Sequence, residues 1–462
     1  MAALNRGNLV ERRFRITGVT TTAQRLAGAA ATLLGRPLAL RLRAWDGSET
    51  GPGGASDTSQ GAGPADAPVL VFRHPRALRR LARSPGELGL AEAYISGDLD
   101  VDGDLQAALA AVWSPDQRLR VRPAVGDWPR LIGTAVRLRV PGRRPPRPGQ
   151  AASLSGRRHT RDRDRAAIAH HYDVGNEFYE LLLDESMAYS CGYYRQGPAG
   201  SLEDAQQAKL ELICGKLALA EGSTHLDIGC GWGSLICYAA EHFGTRSVGV
   251  TLSRRQFEYV SKRVADRGLA DRVEVVHADY REIGEGALAS RIGTFDAVST
   301  IEMGEHVGDE EYPAFTGLLH DVIRPGGMVL VQQMSRGQNA PGGGAFIETY
   351  IAPDMHMKPL GATVSHLASA GMEVRDVRAM REHYAWTVNA WARTLDARWA
   401  EAVELIGEVG DRIWRLYLAG GALAFSSGRM GVDQILATRP HADGSTELAP
   451  GRAAWESGAD RS

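Results

Sequence analysis

Cysteine and long apolar runs are what this chain has least of. Its 462 residues contain four cysteines, Cys191, Cys214, Cys230 and Cys237. They show no metal-ligand spacing and no secretory context, which argues against a disulfide scaffold and a metal centre and leaves reduced thiols. The longest weakly polar run, LAGAAATLLG, is too short to span a bilayer, and the opening MAALNRGNLVERRFRI carries charges where a signal peptide needs an apolar stretch. A cytoplasmic protein is expected. A net charge of −2 does not favour nucleic acid as a partner. Hydrophobic residues make up 44% and charged residues 23% of the chain, enough for sizeable cores in about two to three domains.

The richest stretch is Leu226 to Gly233, LDIGCGWG. An apolar strand ends in Asp227, and Gly229, Gly231 and Gly233 follow at alternate positions before the helical SLICYAAEHF. Glycines allow a tight turn and remove the Cβ atoms that would hold a ligand off, while the helix start aims its N–H groups at that ligand. A dinucleotide site needs a ribose-binding acid about 20 residues on. Here the next strand, RSVGVTLS, ends in Thr251 and Ser253, which argues against NAD. The spacing D-x-G-x-G-x-G is that of S-adenosylmethionine sites. VEVVHADY sets Asp279 and Tyr280 at a third strand end, where an adenine amino group could be bound. FDAVSTIEM and GGMVLVQQM read as fourth and fifth strands. Alternating strands and helices predict an α/β fold with a Rossmann-like, doubly wound, mostly parallel sheet and a small N-terminal α+β domain, a layout that with this glycine spacing resembles the class I S-adenosylmethionine-dependent methyltransferases.

Four regions are expected. Residues 1–115 form the small domain, with a disordered loop near 49–66. Residues 116–164 form a basic Pro/Arg-rich linker; from Arg118 to Arg165 there are fourteen arginines against three aspartates. The linker is either solvated or in contact with anionic headgroups. Residues 165–437 form the catalytic domain, in which PGGGAFIETYIAPDMHMKPLG has the character of a mobile lid, and 438–462 form a disordered tail.

A second cluster, HYDVGNEFYELLLDESMAYSCGYY, is dense in side chains that bond or stack, among them Tyr172, Ser190 and Cys191. With LDIGCGWG, VGVTLSRRQ, EMGEHVG and EHYAWTVNAW, it resembles the cyclopropane-fatty-acyl-phospholipid synthase family, which includes mycolic acid methyltransferases. The resemblance runs over roughly residues 165–435, and the N-terminal domain is similar to the small domain of the phospholipid-acting members. It implies methyl transfer to a cis double bond in a long acyl chain, followed by proton loss from the resulting cation. It also implies that Tyr172, Ser190, Asp227, Gly229, Gly231, Thr251, Ser253, Gln256, Asp279 and Tyr280 line the S-adenosylmethionine site.

In the family a bicarbonate ion is the base, held by positions matching Cys191, Glu305 and Tyr384, with a histidine just after the fifth strand. This chain departs there: Gln332 stands at the histidine position. That puts bicarbonate in doubt and leaves Glu305 as a candidate direct base, with His306 beside it either catalytic or packed. The VQQMSR stretch resembles the actinobacterial branch making 10-methylene acyl chains for tuberculostearic and 10-methylstearic acid. The partners implied are a phospholipid bilayer surface at the inner membrane face, unsaturated acyl phospholipids and a flavin-dependent, NADPH-using reductase. A homo-oligomer is also possible. The rival readings are a cyclopropane synthase, a non-catalytic lipid-binding scaffold and a small-molecule methyltransferase.

Overall fold

A computed structural model describes residues 20–52, 67–112, 125–143, 145–152, 154–172, 174–286, 288–337 and 342–447. Eleven strands among these residues form two sheets. The smaller joins β1 (Arg41–Arg43), β2 (Glu49–Thr50), β3 (Val69–Phe72) and β4 (Leu99–Asp102) in the order β2-β1-β3-β4. The larger joins β5 (Thr224–Ile228), β6 (Arg246–Thr251), β7 (Val273–His277), β8 (Phe295–Ile301), β9 (Ile323–Ser335), β10 (Glu373–Ala379) and β11 (Gly431–Thr438) in the order β10-β11-β9-β8-β5-β6-β7. β5 to β9 pair in parallel, and β11 lies antiparallel between β9 and β10.

The central strands are apolar on both faces because helices cover both. Leu226, Ile228, Val298, Val329 and Val331 share one core with Phe315 and Leu319 of the helix Tyr312–Val322. On the opposite face Ala297, Met328 and Leu330 meet Leu210 and Ile213 of the helix Leu202–Lys216. The sheet order turns back between β5 and β8, so the carboxyl ends of these two strands flank the crevice where such folds bind ligands.

The N-terminal sheet packs against the helix Thr22–Leu34. β2 falls inside the stretch expected as a disordered loop, and residues 53–66 of that stretch lie outside the described residues. The expected linker is partly outside them too, but its described portion is anchored. It contains the helix Trp128–Arg137, and Arg79, Arg83 and Arg80 donate to the carbonyls of Arg139, Gly142 and Pro146. Catalytic-domain structure begins with the helix Arg161–Tyr172. Of the expected tail, residues 448–462 lie outside the described residues, while Glu447 pairs with Arg324 at 2.8 Å.

The stretch read as a mobile lid, residues 341–361, is instead fastened, apart from residue 341, which is not described. Its helix Ala345–Tyr350 buries Phe346 and Tyr350 against Tyr94 and Ile95 of the N-terminal domain and Ile413 and Leu416 of the helix Trp399–Ser426. Lys358, further along, is buried and donates to the Val307 carbonyl at 2.8 Å. Arg412 ties the domains together by donating to the Tyr94 carbonyl and pairing with Asp100 at 3.0 Å. Among the described residues no helix is long and apolar enough to cross a membrane.

Candidate active site

One cleft lies over the carboxyl ends of β5, β6 and β8. It is lined by Tyr172, Ser190, Asp227, Gly229, Gly231, Thr251, Gln256, Asp279, Tyr280 and His306. The turn after β5 is possible because Gly231 and Gly233 take φ of 54° and 80°, and a Cβ at Gly233 would stand 2.7 Å from Val260 Cγ1. No atom lies within 4 Å of where a Cβ at Gly231 would stand, so this turn offers bare backbone to a ligand.

Asp227 is buried, and burial pushes its carboxyl up to about 6, opposed by the Ser299 hydroxyl and the Lys209 ammonium. Ser299 donates to Asp227 Oδ1 at 2.6 Å and also meets His225 Nε2 at 2.8 Å, which holds the acid in place. Thr251 donates to Gln256 Oε1 at 2.8 Å, setting the orientation of that amide at the cleft. The structure gives Ser253 the N-cap of the helix Arg254–Asp266, where it accepts from the Gln256 N–H. Asp279 likewise caps a short turn and is held by Arg281 while lining the cleft beside Tyr280. The bare turn, the strand-end acid and the hydroxyls of Ser190 and Thr251 fit S-adenosylmethionine.

Three of the expected catalytic residues, Cys191, Gln332 and Tyr384, converge on a carboxylate that sequence reasoning passed over, Glu302. The Cys191 backbone N–H and Gln332 Nε2 donate to Glu302 Oε1 at 2.8 and 2.9 Å, and the Tyr384 hydroxyl donates to Oε2. Cys191 thus contributes its main chain; its thiol is buried, pushed well up in pKa by burial, and lies 3.3 Å from the Gly192 carbonyl. Glu302 has φ of 54°, a backbone state costing a non-glycine residue of order 1–3 kcal/mol, and such strain persists only where the surroundings enforce it.

Glu305 lies apart from that hub. Its Oε1 accepts from the Met334 N–H, and among the described residues its Oε2 has no hydrogen-bond partner. Burial, with the charge of Glu302 adding to it, raises its carboxyl to about 8, so Glu305 is mostly protonated at neutral pH. His306 is lowered to about 4 by burial and is neutral. Lys209 is a second residue the sequence did not single out. It is buried and donates to Ser190 Oγ at 2.8 Å, while Gln206 on the same helix donates to the Ala188 and Ser190 carbonyls.

Glu302 and Tyr189 form one wall of the cleft, and behind that wall is an apolar pocket. It is lined by Leu90, Leu105 and Leu109 of the N-terminal domain, Phe346 of the fastened segment, and Tyr384, Gly421 and Phe425 of the C-terminal helices. Two pairs span the wall: Glu302 in the cleft with Tyr384 in the pocket, and Tyr189 in the cleft with Tyr417 in the pocket, their hydroxyls 3.1 Å apart. Tyr384 stacks on Phe425, ring centres 4.4 Å apart. Trp391 is buried within the same aromatic core.

Comparison with known proteins agrees with this geometry. The mycolic acid cyclopropane synthetase family model matches residues 159–435. The chain is 36% identical over 421 residues to a probable fatty acid methyltransferase, Rv3720, of Mycobacterium tuberculosis, covering 89% of this chain and 94% of that protein. It is 30% identical over 393 residues to the tuberculostearic acid methyltransferase UfaA1 of the same organism, covering 82% and 84%. Among solved structures, the mycolic acid cyclopropane synthase CmaA1 complexed with SAH and CTAB superposes with a TM-score of 0.55 at 30% identity, over 59% of this chain and 98% of that one. With the glycine turn, strand-end acid and seven-stranded sheet in place, the chain belongs to the mycolic acid cyclopropane synthetase family and is an S-adenosylmethionine-dependent methyltransferase.

Proposed function

We propose that this enzyme methylates the cis double bond of oleoyl-type chains in phospholipids and releases a 10-methylene acyl product. The observation that carries the reading is the thin wall between a polar cleft and an apolar pocket, spanned by the Glu302–Tyr384 and Tyr189–Tyr417 pairs. An alkene is a poor nucleophile, so it must be held in line with the methyl donor in a dry, apolar setting. S-adenosylmethionine, when bound, supplies an electrophilic methyl group on a sulfonium.

The chain's residues do the rest. Leu90, Leu109 and Phe346 hold the hydrocarbon and exclude water. The rings of Tyr172, Tyr189 and Trp232 surround the cleft side of the wall, where their faces and the Glu302 carboxyl oxygens favour the positive charge left on the acyl chain by methyl transfer. A hydride shift before proton loss from the methyl leaves a methylene branch on the open chain, whereas direct loss from the new methyl closes a ring.

The similarity to a tuberculostearic acid methyltransferase supports the methylene outcome, and a flavin-dependent, NADPH-using reductase would then consume it. The arginine-rich stretch before the catalytic domain supports work at an anionic phospholipid surface. The test is incubation with methyl-deuterated S-adenosylmethionine and oleoyl phospholipid vesicles, read by mass spectrometry and proton NMR. A vinylic methylene signal is expected. Ring-proton signals would make this a cyclopropane synthase, and absence of transfer would leave a lipid-binding scaffold.

A further inference from the structure

The unassigned carboxylate in the wall has the position and surroundings of a base. Glu302 follows the last residue of β8, lines the cofactor cleft and touches Tyr384 of the apolar pocket, so it borders both sites. Its side chain is clamped by three donors from three segments: the Cys191 N–H, Gln332 Nε2 on β9 and the Tyr384 hydroxyl. Gln332 is itself oriented, because its Oε1 accepts from Gln434 Nε2 on the paired strand β11 at 2.9 Å. The Glu302 backbone is locked as well, its N–H donating to the Gln332 carbonyl at 2.6 Å with φ held at 54°.

We propose that Glu302 is the general base of the reaction, a built-in carboxylate standing where an exogenous anion would otherwise be gathered, so that turnover needs no bicarbonate. The inference rests on the acyl-alkene reading above. In the step, the alkene π pair forms the new C–C bond while the C–S pair leaves with sulfur. For the methylene, a hydride first moves with its electron pair from the alkylated carbon to the neighbouring cationic carbon. A Glu302 oxygen then takes a proton from the new methyl, and that C–H pair becomes the second bond of the methylene or, where no hydride has moved, the third side of a ring. Glu302 returns its proton to solvent after product leaves.

The two acids divide the work. Burial raises the Glu302 pKa, but its three donors and the Lys209 ammonium oppose that, whereas Glu305 is raised to about 8 and its Oε2 has no partner among the described residues. The two carboxyls thus stand in different surroundings, three donors around Glu302 and a single donor at Glu305, the arrangement by which paired carboxyls take separate roles.

The test uses purified protein in CO2-scrubbed buffer with oleoyl phospholipid vesicles, together with 13C NMR of labelled bicarbonate. Wild-type turnover should stay within two-fold on adding bicarbonate, and no bound bicarbonate signal should appear. Glu302→Gln should lower turnover by about 10²- to 10⁴-fold with S-adenosylmethionine affinity within a few-fold. Glu302→Gly, at a backbone position that suits glycine, should bind labelled bicarbonate and regain turnover with bicarbonate or formate. A wild type that requires or binds bicarbonate, or a Glu302→Gln enzyme with near wild-type turnover, would overturn the proposal. Should no lipid be methylated by any form, the acyl reading fails, and the NMR comparison of wild type with Glu302→Gly still decides whether the carboxylate fills an anion site.

Discussion

The cofactor cleft and the apolar pocket share a wall but are built in opposite ways. The cleft comes mainly from consecutive strand ends of one sheet, with Asp227, Thr251, Asp279 and Glu302 each just at or beyond a strand, and from the turn between Gly229 and Gly233. The pocket draws on residues from Leu70 to Met430 across two domains, and no short motif describes it. A local motif suffices for a cofactor because its polar groups must meet fixed donors and acceptors. An acyl chain asks only for apolar surface of the right shape, which distant elements can supply together.

Substitutions on each side of the wall sharpen that contrast. The largest effect is expected from Asp227→Asn: S-adenosylmethionine affinity, read by calorimetry, should fall by about 10- to 100-fold, in line with the worth of a hydrogen bond to a charged group, while vesicle binding is retained. On the other side, Gly421→Leu should fill the pocket, since a Cβ there already meets Val388 Cγ1 at 3.6 Å. KM for oleoyl lipid should rise about ten-fold with cofactor affinity unchanged, a penalty comparable to that for one misfitting methylene group in an apolar pocket. Equal losses of both affinities in either variant would mean that the two sites are one.

Glu305, three residues after Glu302, makes a pH prediction. Glu305 keeps its proton in the native state up to about 8 but loses it in the unfolded chain above its ordinary 4.5, so the native state binds more protons between those values. Stability should therefore fall as pH rises through that window and level off above it. Glu305→Gln should melt higher than wild type, by a margin that grows from about pH 5 to about pH 8 and then stays constant, as thermal melts would show. The smallest effect is expected from Ser253→Ala, a loss of about 1 kcal/mol of stability from the lost helix cap with cofactor affinity within two-fold. A large drop in affinity would instead make Ser253 a cofactor ligand.

Much of the larger sheet was legible in the sequence, because strands buried on both faces read as apolar runs between turns. β10 and β11 were not, since EVRDVRA is half-exposed and GVDQILAT buries Asp433 and Gln434 within a strand. β4 hid in DLDVD for the same reason. Among site residues, Asp227, Gly229 and Gly231 could be found from spacing alone. Glu302 could not: IEMGEHVG offers two acids three residues apart, and only Glu305 matched the resemblance. Lys209 sits among Leu210, Leu212 and Ile213 on a helix whose periodicity gives no sign of a ligand-facing side.

By itself the sequence determined the class of fold, the family and a candidate site for the methyl donor, because these depend on the order of strands and on a turn whose glycines are needed by backbone geometry. Only the tertiary structure decided which carboxylate stands at the centre of the site and which keeps its proton. The donors that clamp Glu302 come from residues 191, 332 and 384, and the burial that protonates Glu305 comes from the packing of many segments. Interactions between residues far apart in the chain leave no local pattern, and a carboxyl group takes its charge from what surrounds it in space.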